Sequence, residues 1–270
     1  MKLSVSAEVD LSYEDVGSGP VLLWVPGTGL RGCTWEHQVA AFADRFRCIS
    51  VDLRGSGESS GGDTEFTVGD LAGDLARLLD ALDIASVTVI GLSLGSAVAQ
   101  ELALLRPDVV AGLVLVATWS STTAEHHVRR HFESRLYALV NGPIDVYAQF
   151  AFWMSSPWLY DHEPDLQTTV ESRLRDHMSS SPSGTAGHFR ADLSHETRDR
   201  LPHIACRCLV IHGEDDLITL PWYNATVASL IPGAALATVA HAGHLAWLER
   251  PAELTALIEG FLAGAPSDAG

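Results

Sequence analysis

Residues 87–105 constrain the fold more than any other stretch of this chain. Val87-Thr88-Val89-Ile90 is a β-branched run of the kind that fills a buried strand. Gly91-Leu92-Ser93-Leu94-Gly95 follows, and then a helix-forming run from Ser96 to Leu105. A strand that meets a helix across so few residues must turn sharply. Gly91 and Gly95 leave room for that turn, because a Cβ at either place would clash across it. A serine held there sits in a strained backbone with its Oγ lifted clear of the sheet. The new helix aims its N-terminus at that oxygen, where negative charge is favoured. The glycine-serine-glycine pattern is weak alone and would otherwise read as an ordinary glycine-rich turn. The strand before it and the helix after it supply the context that makes Ser93 a candidate nucleophile.

A serine nucleophile needs a base, and the base needs an orienting carboxylate. Two later segments offer both. Cys208-Leu209-Val210-Ile211-His212-Gly213 reads as a buried strand followed by Glu214-Asp215-Asp216-Leu217. Leu236-Ala237-Thr238-Val239-Ala240 reads as another, followed by His241-Ala242-Gly243-His244. Asp215 competes with Asp216 for the acid, and His241 with His244 for the base. The glycine before His244 and the helix-like Leu245–Glu249 after it put His244 at the end of its loop. Each group lies just past the carboxyl end of a strand, where open α/β sheets build their sites. The chain order serine, acid, histidine matches one of the known layouts of this machinery.

Through these residues the chain resembles the α/β-hydrolase fold family over nearly its whole length. Val21–Gly29 resembles the family's strand and oxyanion loop, and Trp35 and Gln38 the helix start after it. Val51–Ser59 resembles its Asp-x-Arg-Gly-x-Gly-x-Ser turn, in which Asp52 with Arg54 is expected to hold the turn. Asp216 stands three residues after Gly213, as in relatives, which favours it over Asp215. Ala242-Gly243-His244, with Glu249 and Pro251 beyond, resembles the histidine loop. The resemblance implies a catalytic set of Ser93, Asp216 and His244. It implies an oxyanion hole made by the backbone N–H groups of Thr28 and Leu94. Relatives usually carry His-Gly where this chain has Pro26-Gly27; a backbone donor survives that change, because Pro26 removes only its own N–H. If backbone alone matters, the Thr28 side chain is dispensable.

Organisation follows from periodicity. Segments near residues 2–14 form an expected hairpin, and Thr67–Asp70 an expected capping box. Leu71, Leu75, Leu78, Leu79 and Leu82 then make an apolar helical stripe. Strand and helix alternate up to Ala117, cease, and resume at Cys208. The expected fold is α/β: a mostly parallel sheet of about eight strands flanked by helices. Residues 1–121 and 204–264 form its core. Residues 122–203 form a helical cap inserted after strand 6, with Ser179–Gly184 as a loop. Residues 265–270 form a frayed tail.

The cap is expected to shape the substrate pocket. Tyr147, Phe150, Phe152, Trp153, Trp158 and Tyr160 cluster in it, with Trp119 expected opposite. Gly29, Trp119, Phe152, Trp153, Leu217 and Leu245 are the expected pocket residues. His126, His127 and His131 have helical spacing but no matching carboxylates, so they read as a solvated helix face and not a metal site. His212 is expected to be packed at its strand end.

The formal net charge of −17 disfavours nucleic acid and anionic membranes, which select basic patches. Four cysteines in 270 residues show neither zinc nor disulfide spacing, which suits a reducing, cytoplasmic compartment. The apolar start is broken by Glu8 and Asp10, so no secretion signal is expected. No apolar run is long enough to span a bilayer. Together these features point to a serine hydrolase of carboxylic esters or lactones, acting on an apolar small molecule as a monomer or homodimer. The chemistry requires no metal and no organic cofactor. The same triad also serves C–C bond hydrolysis, cofactor-free haloperoxidation or perhydrolysis, and lyase or cyclase steps. A slow-turnover ligand receptor is the non-enzymatic alternative.

Overall fold

The computed structural model describes residues 1–62, 65–141, 151–178 and 181–264. The strands are β1 (Lys2–Ser4), β2 (Asp10–Gly17), β3 (Val21–Val25), β4 (Arg47–Val51), β5 (Val87–Leu92), β6 (Val110–Val116), β7 (Arg207–Gly213) and β8 (Ala235–Val239). They form one sheet in the order β1-β2-β4-β3-β5-β6-β7-β8. The β1–β2 hairpin and the β2–β4 pair are antiparallel, and every other pair is parallel.

The strands β3, β4, β5, β6 and β7 are buried on both faces, so their side chains divide by period two into two cores. Leu23, Val25, Val89, Leu113 and Val210 join one core. Leu22, Trp24, Ile90, Val114 and Ile211 join the other. Helices α1 (Glu36–Phe42), α2 (Val68–Ala81) and α3 (Leu94–Leu105) follow β3, β4 and β5 in turn. The α2 start has the expected capping box between Thr67 and Asp70. Its Leu71, Leu75, Leu78 and Leu79 are buried, and Leu82 packs at the edge of the same core.

Between β6 and β7 lie α4 (His126–Asn141), α5 (Pro157–His162), α6 (Pro164–His177) and α7 (Pro182–Leu193). A proline opens α5, α6 and α7, where its missing N–H costs nothing. This corrects the expected loop over 179–184: Ser181 caps α7 by accepting from the Gly184 amide, and Pro182 begins the helix. Ser179 and Ser180 lie outside the described residues, as do residues 265–270. After β7 come α8 (Pro221–Leu230), β8, α9 (Ala246–Glu249) and α10 (Pro251–Leu262).

Strand order places the site. The chain runs from β3 outward to β4, then crosses back to β5 on the other side of β3. The order therefore reverses between β3 and β5, and ligands bind at the carboxyl ends of strands around such a reversal. The loop after β3 holds Thr28, and the turn after β5 holds Ser93.

Candidate active site

Ser93 caps α3 with φ 49° and ψ −117°, a left-handed conformation rare for a residue with a side chain. The surroundings enforce it. A Cβ on Gly91 would lie 2.2 Å from the Gly95 carbonyl oxygen. A Cβ on Gly95 would lie 2.3 Å from that of Val25. The strand and helix therefore approach closely enough to hold the turn, and the Ser93 amide donates to Val116 on β6 at 2.9 Å.

Asp216 is buried after β7, and all four of its contacts are donors. Its Oδ1 accepts the amides of Ile218 (2.7 Å) and Thr219 (3.0 Å). Its Oδ2 accepts the Thr219 hydroxyl (2.8 Å) and Nδ1–H of His244 (2.8 Å). A carboxylate only accepts, so Nδ1 carries the proton and Nε2 presents its lone pair. The rival residues are occupied elsewhere. Asp215 accepts from the Ser156 hydroxyl. The half-exposed His241 ring stacks on Trp158, with centroids 4.6 Å apart. The loop before His244 is held by Glu249, whose carboxylate accepts the amides of Gly243 (2.6 Å) and Ser156 (3.1 Å). Burial pushes the Glu249 carboxyl up to about 7, against those two amides.

Ser93 and His244 line one cavity, and Thr28 borders it too. Leu94 opens α3, so its amide has no acceptor within the helix. Thr28 sits in the turn closed by Leu30 N–H donating to Gly27 at 3.1 Å. Its side chain is engaged: the hydroxyl donates to Asp192 on α7 at 2.7 Å.

Most of the remaining wall is apolar: Phe132, Met154, Leu174, Met178, Phe189 and Trp247. Thr185 and His131 are its other polar members, and no charged carboxylate or guanidinium lines it among the described residues. His131 corrects the solvated-face reading of α4. Burial, with Arg135 and His244 nearby, holds its imidazole well below the usual histidine range, so it is neutral. Val128 and Phe132 are the buried residues of α4, and His131 follows Val128 at helical spacing. That stripe was the signal in the sequence. His127 does lie at the surface, its Nε2–H donating to the Leu217 carbonyl.

The expected pocket residues lie elsewhere. Phe152 and Trp153 are 56% and 48% exposed. Trp119 is buried behind the cavity against Phe132 and His195. Leu245 is buried and Leu217 is exposed. The Gly29 amide donates to His188 at 3.0 Å. Tyr147 and Phe150 lie outside the described residues. His212 is packed as expected. Asp52 does hold its turn, accepting the amides of Gly32 (2.7 Å) and Glu58 (3.0 Å), but Arg54 pairs with Asp74 on α2 instead.

The sequence profile of the alpha/beta hydrolase fold matches residues 20–251. The chain belongs to the α/β-hydrolase fold family. This hydrolase is similar to relatives of differing chemistry. It is 31% identical to a protein of Mycobacterium tuberculosis named as a non-heme bromoperoxidase, BpoC, across 94% of this chain and 98% of that one. It is 29% identical to a thermophilic esterase of Thermogutta terrifontis, with a TM-score of 0.83 over 97% of this chain and 96% of the other. It is 25% identical to an enol-lactonase of Burkholderia xenovorans, with a TM-score of 0.81 over 96% and 99%. None of its described helices is long and apolar enough to cross a membrane.

Proposed function

We propose that this hydrolase cleaves a neutral carboxylic ester or lactone of an apolar small molecule through an acyl-enzyme. The observation that carries this reading is the hydrogen bond from His244 to Asp216 at a cavity that also holds the strained Ser93. Ser93 Oγ attacks the carbonyl while Nε2 of His244 takes its proton. Asp216 keeps the imidazole in that tautomer and stabilises its cation. The amides of Thr28 and Leu94 receive the oxyanion. His244 then protonates the leaving oxygen, and water, activated by the same imidazole, releases the acid. Residues 122–203 act as the cap. The apolar wall and the neutral His131 favour an uncharged substrate, in keeping with the esterase and lactonase likenesses. Four unpaired cysteines suit a cytoplasmic setting. The likeness to BpoC favours one second reading, in which hydrogen peroxide replaces water and the product is a peracid.

A turnover screen across esters, lactones and thioesters tests the proposal, with Ser93→Ala as the blank. That variant should lose on the order of 10⁶ in turnover if the three residues act as a unit. A serine-directed phosphonate should label Ser93. Labelling at another serine, or near-native turnover in Ser93→Ala, would end the proposal. Added peroxide separates the second reading by the appearance of peracid.

A further inference from the structure

Two buried polar side chains of α7 have no part in the chemistry above. His188 and Asp192 are one helical turn apart, so they share a face of α7. Both are fully buried. Their face meets the loop after β3 at two successive residues. The Thr28 hydroxyl donates to Oδ2 of Asp192 at 2.7 Å. The Gly29 amide donates to Nδ1 of His188 at 3.0 Å. His188 in turn donates from Nε2–H to the Arg54 carbonyl at 2.7 Å, which fixes the tautomer that leaves Nδ1 accepting.

The Asp192 carboxyl is costly where it stands. Among the described residues its Oδ1 has no hydrogen-bond partner, and neither lysine nor arginine pairs with it. Burial pushes it well above the usual carboxylate range. An apolar side chain would pack there at lower cost. Its one polar contact among the described residues is the hydroxyl of Thr28, the residue whose amide is the proposed oxyanion donor. The Gly29 amide, spent on His188, cannot serve an oxyanion, which leaves the role to the neighbouring Thr28 amide in the proposed mechanism. Pro26 has neither an N–H nor a polar side chain with which to hold the loop from within.

We infer that Asp192 and His188 are positioning residues for the oxyanion hole: from the inserted helix α7 they lock the Gly27–Gly29 loop with the Thr28 N–H turned toward Ser93. This inference rests on the serine-hydrolase reading of the site. It makes the oxyanion hole a joint product of the core and the insertion.

The test uses the whole protein and a p-nitrophenyl ester, with phosphonate titration counting competent sites. Thr28→Val removes the hydroxyl at nearly constant shape, and Asp192→Leu removes its acceptor. Per titrated site, each should lose about 10–100-fold in kcat with KM little changed, less than the 10²–10³ of a deleted donor. The double variant should be no worse than the poorer single one, because both break one contact. Thr28→Ser and Asp192→Asn, which keep donor and acceptor, should restore most of kcat. Affinity for a boronate transition-state analogue should fall in step with kcat. Unchanged kcat per site in Thr28→Val and Asp192→Leu, with Ser93 labelled, overturns the positioning role alone. Loss without rescue by the conservative variants also overturns it, as a packing effect. A wild-type protein that is not labelled at Ser93 overturns both this inference and the hydrolase proposal.

Discussion

Asp215 and Asp216 are adjacent carboxylates with different partners. Asp216 accepts Nδ1–H of His244, while Asp215 is turned to Ser156. Asp216→Asn should therefore cost about 10⁴ in kcat by presenting the wrong tautomer, and Asp215→Asn far less. Steady-state kinetics on both variants checks the ranking; the reverse order would move the acid to Asp215. His195 couples folding stability to pH. It is fully buried against Trp119, and burial lowers its imidazole from the ordinary 6.5 to about 4. Between those values the unfolded chain binds the proton and the folded chain does not, so stability falls as pH falls through that window. Glu249 opposes it: raised from 4.5 to about 7, it favours the folded state as pH falls from 7 toward 4.5. The net slope mixes these two with other buried groups, His131, His188 and Asp192 among them, but a variant isolates one. His195→Gln, which keeps an amide donor for the Trp119 carbonyl, should lose less stability than wild type between pH 6.5 and 4. Urea midpoints across that range provide the comparison, and equal slopes would refute the assignment.

Elements were legible where their signals are local. The β5 run, the elbow and the start of α3 fall within consecutive residues, and the glycines that permit the turn are read directly. Gly91→Ala puts a Cβ against the backbone at Gly95, where no side chain can swing away. Such overpacking should cost at least about 1–3 kcal/mol and shift Ser93, so denaturant midpoint and phosphonate labelling should fall together. Labelling at the wild-type rate would mean that the turn tolerates the methyl. The capping box at Thr67 was equally local. The start of α7 was not, because Ser179–Gly184 carries loop residues whose composition also suits a serine cap followed by proline at the first helical position. The same ambiguity hid His131. Its neighbours Val128 and Phe132 mark a buried stripe, but which face of α4 meets the cavity depends on helices brought together by the fold.

At the scale of the whole molecule, the helices between β6 and β7 are joined to the loops at the sheet's end at several points. Leu30 bridges to Met178, and the Arg31 amide donates to the His177 carbonyl at 3.0 Å. Glycines let α7 come close: a Cβ on Gly184 would lie 1.8 Å from the Gly55 carbonyl oxygen. Met178, Thr185 and Phe189 thereby reach the cavity, while Phe152 and Trp153 stay at the surface. Phe189→Ala should raise KM for bulky apolar esters over short ones by roughly 10–200-fold, and Phe152→Ala should change neither. Paired kinetics on an acetyl and a bulky ester checks this; an equal loss on both would make Phe189 a packing residue only. The α/β sheet, the break in strand–helix alternation after β6, and the candidates Ser93, Asp216 and His244 in that order were all legible in the sequence. These rest on strand periodicity and on short spacings at strand ends, which survive without knowledge of distant neighbours. The tertiary structure alone decided which aromatic residues face the cavity, that Arg54 pairs with Asp74, and that Asp192 and His188 grip the Thr28 loop. Those contacts join residues far apart in the chain, and no local pattern records how inserted helices settle on the sheet.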